Sequence, residues 1–121
     1  MGKVLVVDDQ KDIADLYKTI IDSVGHNCTV TYGGKEALEQ IKKIKFDLIL
    51  LDISMPDMDG IELIKKIKNE QNASDAKIVF ITASMPHSHD VNTLKELGAK
   101  TVLMKPVKKK EMIEMIAQYI K

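Results

Sequence analysis

Several residue types are scarce in this chain of 121 residues, and each scarcity narrows what the protein can be. The single cysteine, Cys28, cannot form an internal disulfide, and within its apolar run we expect it to be buried as a small hydrophobic side chain. A free thiol is consistent with a reducing compartment. Tryptophan is absent and aromatic residues are few, which removes the usual stacking platform for single-stranded nucleic acid.

Net charge and long apolar runs are lacking as well. Lysine plus arginine and aspartate plus glutamate both number 18, so nothing global favours nucleic acid or an anionic membrane, and any electrostatic function must be local. The first apolar run, Val4 to Val7, is far shorter than a signal-peptide core or a membrane span, and no later run reaches that length. We therefore expect a cytoplasmic protein with no membrane or nucleic-acid partner, whose residues 1–121 form one domain.

Apolar runs and helix-like spacings alternate five times along the chain. The runs, which predict strands, are Val4 to Val7, Cys28 to Thr31, Leu48 to Leu51, Ile78 to Ile81 and Thr101 to Met104. Helical spacing follows each run, and Gly25 after the first helix predicts a left-handed cap. The alternation predicts an α/β fold, a parallel sheet with helices on both faces. A common order for such a doubly wound, flavodoxin-like sheet is 2-1-3-4-5.

Acidic residues follow two of the predicted strands. Asp8 and Asp9 end the first run, and Asp52 ends the third. In the order 2-1-3-4-5 these strands are neighbours, and ligands bind outside their carboxyl ends. Carboxylates sharing one crevice repel and raise one another's pKa values, so we predict a hard divalent cation held by oxygen, with one carboxylate left for chemistry. Taken singly, the Asp8-Asp9 pair could instead cap the first helix, and Asp52 could cap a turn.

The fourth and fifth strands add a hydroxyl and a cation. Thr82 ends the fourth strand, and Lys105-Pro106 follows the fifth. A carboxylate can accept a phosphoryl group, whose charged oxygens a divalent cation, Lys105 and Thr82 could then meet. Each residue alone has a plainer explanation, as a solvated lysine or a strand terminator. The hypothesis of a phosphoryl site therefore rests on the combination.

Several other polar residues are assigned to turns and surfaces. Asp57 and Asp59 are expected to shape the turn before the third helix. His26 is predicted to lie in a turn. His87 and His89 lack a matched third ligand, so we expect them at the surface and not at a metal.

These residues lie in motifs that resemble the receiver domain of two-component response regulators over essentially the whole chain. The matching motifs are Val6-Val7-Asp8-Asp9, Leu50 to Gly60, Ile81-Thr82-Ala83 and Met104-Lys105-Pro106. Separated motifs in the right order make the match much more specific than any one of them alone.

The resemblance implies a role for each acid. Asp52 would accept a phosphoryl group from a phosphohistidine of a sensor histidine kinase or of a histidine phosphotransfer protein. Asp8, Asp9 and Asp52, with the backbone carbonyl of Ser54, would bind Mg²⁺, for which Mn²⁺ could substitute. The chain would be a signalling phosphoacceptor, not an enzyme acting on other molecules. It would catalyse its own phosphorylation and slow dephosphorylation.

On the phosphate side, the resemblance implies that Thr82 and Lys105 contact the phosphoryl oxygens and that the Lys105-Pro106 bond is cis. It also implies a switch in which the threonine moves inward and an aromatic residue of the fifth strand turns in behind it. This chain has Val102 at the aromatic position, and Val107 replaces the phenylalanine that often follows the lysine-proline pair. Valine is stiff and too small to act as the ring does, so we expect the movement of Thr82 to be relayed through the loop 83–89 and its helix.

The last predicted helix offers a candidate docking surface for an output protein. Its predicted inward stripe consists of Ile113, Ile116, Ala117 and Ile120. This leaves Met112 and Tyr119 at the flank and Met115 facing outward, and methionine suits pliable interfaces. The alternative is a looser core that buries the flank. The basic run 108–110 could attract an acidic partner, although a solvated run is the plainer explanation.

Three other functions fit parts of the pattern. A flavin-binding electron carrier needs a hydroxyl- and glycine-rich loop after the first strand, where Asp8-Asp9 would repel phosphate. A phosphorylation-independent interaction module is disfavoured because the site residues are all present. A haloacid-dehalogenase-type phosphatase usually has a second aspartate two residues after the nucleophile, where this chain has Ser54.

Since the chain ends with its fifth predicted helix, we expect either a stand-alone receiver or a fragment of a larger regulator.

Overall fold

A parallel sheet covered by helices on both faces forms the protein. The structure, a computed structural model, describes residues 2–85 and 90–120. Its five strands are parallel and lie in the order 2-1-3-4-5, which confirms the predicted doubly wound α/β fold. The first and third strands are therefore neighbours, at the point where the strand order reverses.

The bounds of strands and helices follow the alternation in the sequence. The strands are β1 Lys3–Val7, β2 Asn27–Thr31, β3 Leu48–Asp52, β4 Lys77–Thr82 and β5 Ala99–Met104. The helices are α1 Lys11–Ser23, α2 Gly34–Lys43, α3 Gly60–Lys68, α4 Val91–Glu96 and α5 Lys109–Tyr119, with a short 3-10 helix at Gln71–Ala73. Among the described residues, no helix is both long enough and apolar enough to cross a bilayer.

Two hydrophobic cores, one on each face of the sheet, explain why the strands are rich in Val, Ile and Leu. Side chains alternate between the faces along a strand, so a central strand contributes to both cores. The α1–α5 core, between the sheet and helices α1 and α5, includes Val4, Val6, Tyr17, Leu50 and Ile116. The α2–α4 core, on the other face, includes Leu5, Val7, Ile41, Leu51, Ile64 and Leu94. The central strand β3 is buried along its whole length.

The loop after β3 is tied to the helices on either side of it. Asp59 caps α3 by accepting a hydrogen bond from the backbone N–H of Glu62 at 2.8 Å. Asp57 accepts a hydrogen bond from the N–H of Gly34, at the start of α2, at 3.3 Å. A Cβ at Gly33 would lie 2.9 Å from the Asp57 carboxylate, so the absence of a side chain there permits this approach. Both aspartates shape the turn as predicted.

The structure also tests the predictions about Gly25, Cys28 and His26. Gly25 has a φ of 90°, which confirms the left-handed cap after α1. Cys28 is buried, and burial raises the pKa of its thiol to about 12. His26 lies in the turn before β2, where its Nδ1 accepts a hydrogen bond from a backbone amide at 2.9 Å. His87 and His89 lie outside the described residues.

The predicted orientation of α5 was wrong in part. Ile113, Ile116 and Ile120 of the predicted inward stripe do pack in the α1–α5 core. Met112 and Met115 are buried, at 0% and 5% exposure, whereas Ala117 of the predicted inward stripe is exposed. Apolar residues spread over a wide arc of this helix, so their spacing alone could not select the centre of the buried face. Long, unbranched methionine side chains instead fill the space in the α1–α5 core. Tyr119 is half-buried against the same core. The structure therefore contradicts the predicted docking surface and confirms the alternative, a core that buries the flank of the helix.

Candidate functional site

Three acids meet at the carboxyl edge of the sheet. β1 and β3 pair with Val7 opposite Leu51, so Asp8 and Asp52 follow at the same level on neighbouring strands. Carboxylate oxygens from Asp8, Asp9 and Asp52 all lie within 4.8 Å of one another. Asp8 and Asp52 are 2% and 4% exposed, and Asp9 is half-buried. Two of the three negative charges are therefore largely removed from water.

Lys105 enters this acid cluster from the end of β5. Its Nζ lies 2.8 Å from Asp8 Oδ2 and 3.2 Å from Asp52 Oδ2. The lysine side chain is 9% exposed, so salt and water screen these ion pairs only weakly. The backbone N–H of Lys105 donates to the carbonyl of Thr82 at 2.8 Å, which ties the end of β5 to the end of β4. The Lys105-Pro106 peptide bond is cis, as the resemblance implied.

Burial and neighbouring charges alter the pKa values in the cluster. Burial raises the pKa of Asp52 to about 6, and the charge of Asp8 adds to the rise, while Lys105 acts in the opposite direction. Burial acts to lower the pKa of Lys105, but its hydrogen bond with Asp8 and the charge of Asp52 outweigh burial, so this pKa is raised. Lys105 therefore stays charged at neutral pH, while Asp52 ionises less readily than an ordinary aspartate.

The donor set of the cluster fits a hard divalent cation. Asp8, Asp9 and Asp52 offer carboxylate oxygens, the ligands that Mg²⁺ prefers in proteins. A cation there would also offset the effect that Asp8 has on the pKa of Asp52. The backbone of Ser54 lies beside the same carboxylate, because its N–H donates to Asp52 Oδ1 at 3.2 Å. That position is compatible with the predicted use of the Ser54 carbonyl.

The threonine at the end of β4 has different partners. Thr82 is fully buried, and its hydroxyl donates to the carbonyl of Ser84 at 2.8 Å and accepts from the N–H of Ser84 at 3.3 Å. Both bonds tie the hydroxyl to the segment that follows β4.

Val102 is half-buried in the α2–α4 core, and Val107 is buried in the α1–α5 core. The predicted relay through the loop falls partly on residues 86–89, outside the described residues, and stays a prediction.

Two residues beside the cluster were not recognised from the sequence. Gln10 Oε1 accepts a hydrogen bond from Lys105 Nζ at 3.2 Å. Tyr17 lies on the buried face of α1. Burial raises the pKa of its phenol, and the charges of Lys105, Asp8 and Asp52 also act on it, so it lies close to the site. The position of Gln10 directly after the acid pair was a usable signal, but its contact across the crevice depends on the tertiary structure.

The fold and the site together define a class of protein, a doubly wound α/β domain that gathers acids and a lysine where its strand order reverses. The family model described as the response regulator receiver domain matches residues 4–117. The chain belongs to this family, which confirms the resemblance. It is a signalling protein whose function lies in two-component phosphorelay signal transduction.

Individual relatives agree with the family. The response regulator SaeR of Staphylococcus epidermidis is 35% identical over 113 residues, which cover 93% of this chain and 48% of that protein. The chain thus spans about half the length of the curated relatives it matches. A CheY-like receiver domain protein from Methanospirillum hungatei superposes with a TM-score of 0.89 at 30% identity, over 98% of this chain and 92% of that one.

The response regulator TrrA from Thermotoga maritima, solved in complex with Mg²⁺ and BeF, has a TM-score of 0.84 at 31% identity. The match covers 99% of this chain and 100% of that chain. The family assignment favours the receiver interpretation over a flavin carrier or a dehalogenase-type phosphatase.

Proposed function

We propose that Asp52 accepts a phosphoryl group from a phosphohistidine of a sensor histidine kinase or a histidine phosphotransfer protein. The observation that carries this proposal is the pairing of the buried Asp52 carboxylate with the buried Lys105 ammonium, 3.2 Å apart, beside two further acids. An aspartate that only capped a turn would need neither partner. In the transfer, the bond from phosphorus to the histidine nitrogen breaks, a bond from phosphorus to an Asp52 oxygen forms, and the nitrogen keeps the electron pair.

For the metal side, we propose that Asp8, Asp9, Asp52 and the carbonyl of Ser54 hold Mg²⁺, with Mn²⁺ as a possible substitute. When bound, the ion supplies positive charge to the phosphoryl oxygens. Asp8 also holds Lys105 at 2.8 Å, so one carboxylate would position both a metal and a protein cation. The complex of the relative TrrA with Mg²⁺ and BeF supports this assignment.

On the phosphate side, Lys105 and Thr82 would donate hydrogen bonds to different phosphoryl oxygens. Lys105 needs only a small movement because its Nζ already contacts Asp52. Thr82 must first release the carbonyl of Ser84. The new bond of Thr82 would pull on the segment after β4, and we propose that α4, which follows this segment, carries the change to a partner-binding surface.

We propose that residues 1–121 act as one receiver unit that catalyses its own phosphorylation and loses the phosphoryl group slowly. The acids nearest to Asp52 are assigned to the metal and to Lys105. Neither Asp8 nor Asp9 is therefore proposed as a general base for the attack of water on the aspartyl phosphate. Hydrolysis would proceed without strong assistance from the protein.

Incubation of the purified protein with acetyl phosphate and Mg²⁺ tests the proposal. The expected product carries one phosphoryl group that is stable to acid and labile to base. Asp52→Asn is expected to abolish its formation, whereas Asp57→Asn is the matched control, an exposed aspartate of the same loop, and should retain it. If the wild-type protein takes up no such group, the phosphorylation-independent interaction module is the better interpretation.

A further inference from the structure

Gln10 contacts the reactive site although it lies outside the motifs that identify the family. Its Oε1 accepts a hydrogen bond from Lys105 Nζ at 3.2 Å, across 95 positions of sequence. The same ammonium donates to Asp8 at 2.8 Å and to Asp52 at 3.2 Å. A lysine ammonium has three N–H donors, so Gln10 completes the set of its partners.

The backbone of Gln10 is fixed independently of its side chain. Its N–H donates to Asp8 Oδ1 at 2.9 Å, and its carbonyl accepts hydrogen bonds from Ile13 at 3.1 Å and Ala14 at 3.0 Å at the start of α1. Gln10 is the N-cap residue of this helix, but its side chain makes no capping bond. Gln10 is exposed, and its carboxamide reaches Lys105 from an anchored backbone without competition from a capping bond.

We propose that Gln10 is a positioning residue that holds Lys105 in the direction of the phosphoryl group, an inference that rests on the proposed function. When Asp52 becomes an aspartyl phosphate, one N–H of Lys105 must turn from the Asp52 carboxylate to a phosphoryl oxygen. Asp8 and Gln10 keep the other two N–H groups and so restrict that rotation. Lys105 then meets the phosphoryl group without a search among alternative rotamers.

The neutral carboxamide suits this position better than another acid would. The site already contains three carboxylates within 4.8 Å and would receive a phosphoryl group that carries further negative charge. A glutamate at position 10 could still accept the bond from Lys105, but its charge would repel the incoming group. Gln10 thus supplies an acceptor for the lysine at no cost in like-charge repulsion.

The test compares Gln10→Met, which keeps the side-chain length and removes the acceptor, with wild type. Beryllofluoride is the probe of the phosphorylated state, and Mg²⁺ alone is the probe of the acid cluster. We expect Gln10→Met to weaken beryllofluoride binding at saturating Mg²⁺ by roughly three- to tenfold, the range for one lost hydrogen bond. The affinity for Mg²⁺ alone should change less than about twofold, because the metal ligands are intact.

Controls separate this role from a purely structural one. Gln118→Met, at an exposed position of α5, should match wild type in both measurements. Gln10→Ala provides a second variant without the acceptor and should reproduce the loss. Unchanged beryllofluoride affinity in both Gln10 variants, or an equal loss of Mg²⁺ affinity, would overturn the positioning role. Failure of the wild-type protein to accept phosphate at Asp52 would instead contradict the proposed function.

Discussion

The site has an acid side, formed by Asp8, Asp9, Asp52 and Lys105, and a threonine side, formed by Thr82 and Ser84. The two sides differ in how closely they already match the arrangement that a phosphoryl group needs. On the acid side, the ammonium of Lys105 already contacts Asp8 at 2.8 Å and Asp52 at 3.2 Å. On the threonine side, the hydroxyl of Thr82 is bound to the backbone of Ser84. The chemistry of phosphoryl transfer therefore needs little rearrangement of the protein. The response to phosphorylation needs an exchange of hydrogen-bond partners.

The energetics of this exchange set the size of the response. Thr82 would give up a hydrogen bond to a neutral carbonyl and gain one to a charged phosphoryl oxygen, which is about 1 kcal/mol stronger. That gain shifts an equilibrium between two conformations by about fivefold. Thr82 alone therefore biases the switch moderately, and any larger response requires further contacts.

The largest predicted effect comes from removing the cation of the acid side. Lys105→Met should lower the rate of phosphorylation by acetyl phosphate about 100-fold, because a preorganised charge is lost where negative charge builds up. The control is Lys109→Met, at an exposed position at the start of α5, which should phosphorylate like wild type. Similar rates for Lys105→Met and wild type would show that the acid side is not preorganised for phosphoryl transfer.

A smaller loss is predicted on the threonine side. Thr82→Ala should lower the phosphorylation rate by about tenfold, since one hydrogen bond to a phosphoryl oxygen is lost. Thr82→Ser keeps the hydroxyl and should recover most of the rate. A loss for Thr82→Ala as large as that for Lys105→Met would remove the distinction between the two sides.

The raised pKa of Asp52 predicts a pH dependence of the acid side. With its pKa at about 6, Asp52 is mostly protonated at pH 5, so phosphorylation at low Mg²⁺ should be about tenfold slower there than at pH 8.

The free energy of unfolding should change with pH in the direction opposite to that expected for an ordinary salt-bridged acid. Between about pH 4 and 6 the folded state holds the proton that the unfolded state has lost, so the free energy of unfolding falls as pH rises.

Replacing Asp52 by a neutral residue tests whether its charge lowers the free energy of unfolding. In the absence of divalent cations at pH 7.5, chosen to lie above the pKa of about 6, Asp52→Asn should raise the free energy of unfolding, measured with urea. We expect roughly 1–2 kcal/mol, because relief of the burial cost of the charge and of the repulsion from Asp8 is partly offset by the weaker bond to Lys105. A decrease instead would mean that the ion pair with Lys105 outweighs both the burial cost and the repulsion.

The smallest effect is predicted at Val102. Val102→Ala should lower the free energy of unfolding by about 1 kcal/mol, since a half-buried side chain loses two methyl groups from the α2–α4 core. Phosphorylation at Asp52 should be unchanged because the valine does not enter the acid cluster. If Val102→Ala altered the phosphorylation rate as strongly as Thr82→Ala, this valine would have a direct part in the switch.

The fold could be predicted from the sequence to the level of strand order. Runs such as Leu48 to Leu51 are short, apolar and bounded by turns, and parallel strands with helices on both faces bury such runs completely. The positions of Asp8 and Asp52 followed from the fold, because side chains at the carboxyl ends of neighbouring strands must meet. Lys105 follows β5, which β4 separates from β3, so its contact with Asp52 also depends on the length of its side chain.

Features set by side-chain packing could not be predicted in this way. The buried face of α5 was assigned only in part because its apolar residues spread over a wide arc of the helix, and Met115 lies in the core. The contact between Gln10 and Lys105 was missed because it depends on the rotamers of two long side chains. The hydrogen-bond partner of Thr82 could not be predicted either, because a hydroxyl can form a hydrogen bond with the nearby backbone or across a site.

The most direct test of the two-sided account is a titration followed by backbone amide chemical shifts. Mg²⁺ alone should shift the amides of Asp8, Asp9 and Ser54 and leave Thr82 and Ser84 nearly unchanged. Addition of beryllofluoride should then shift Thr82 and Ser84, as the hydroxyl leaves the Ser84 carbonyl. Shifts that stay confined to the acid side with beryllofluoride bound, or a full response of Thr82 to Mg²⁺ alone, would contradict the account.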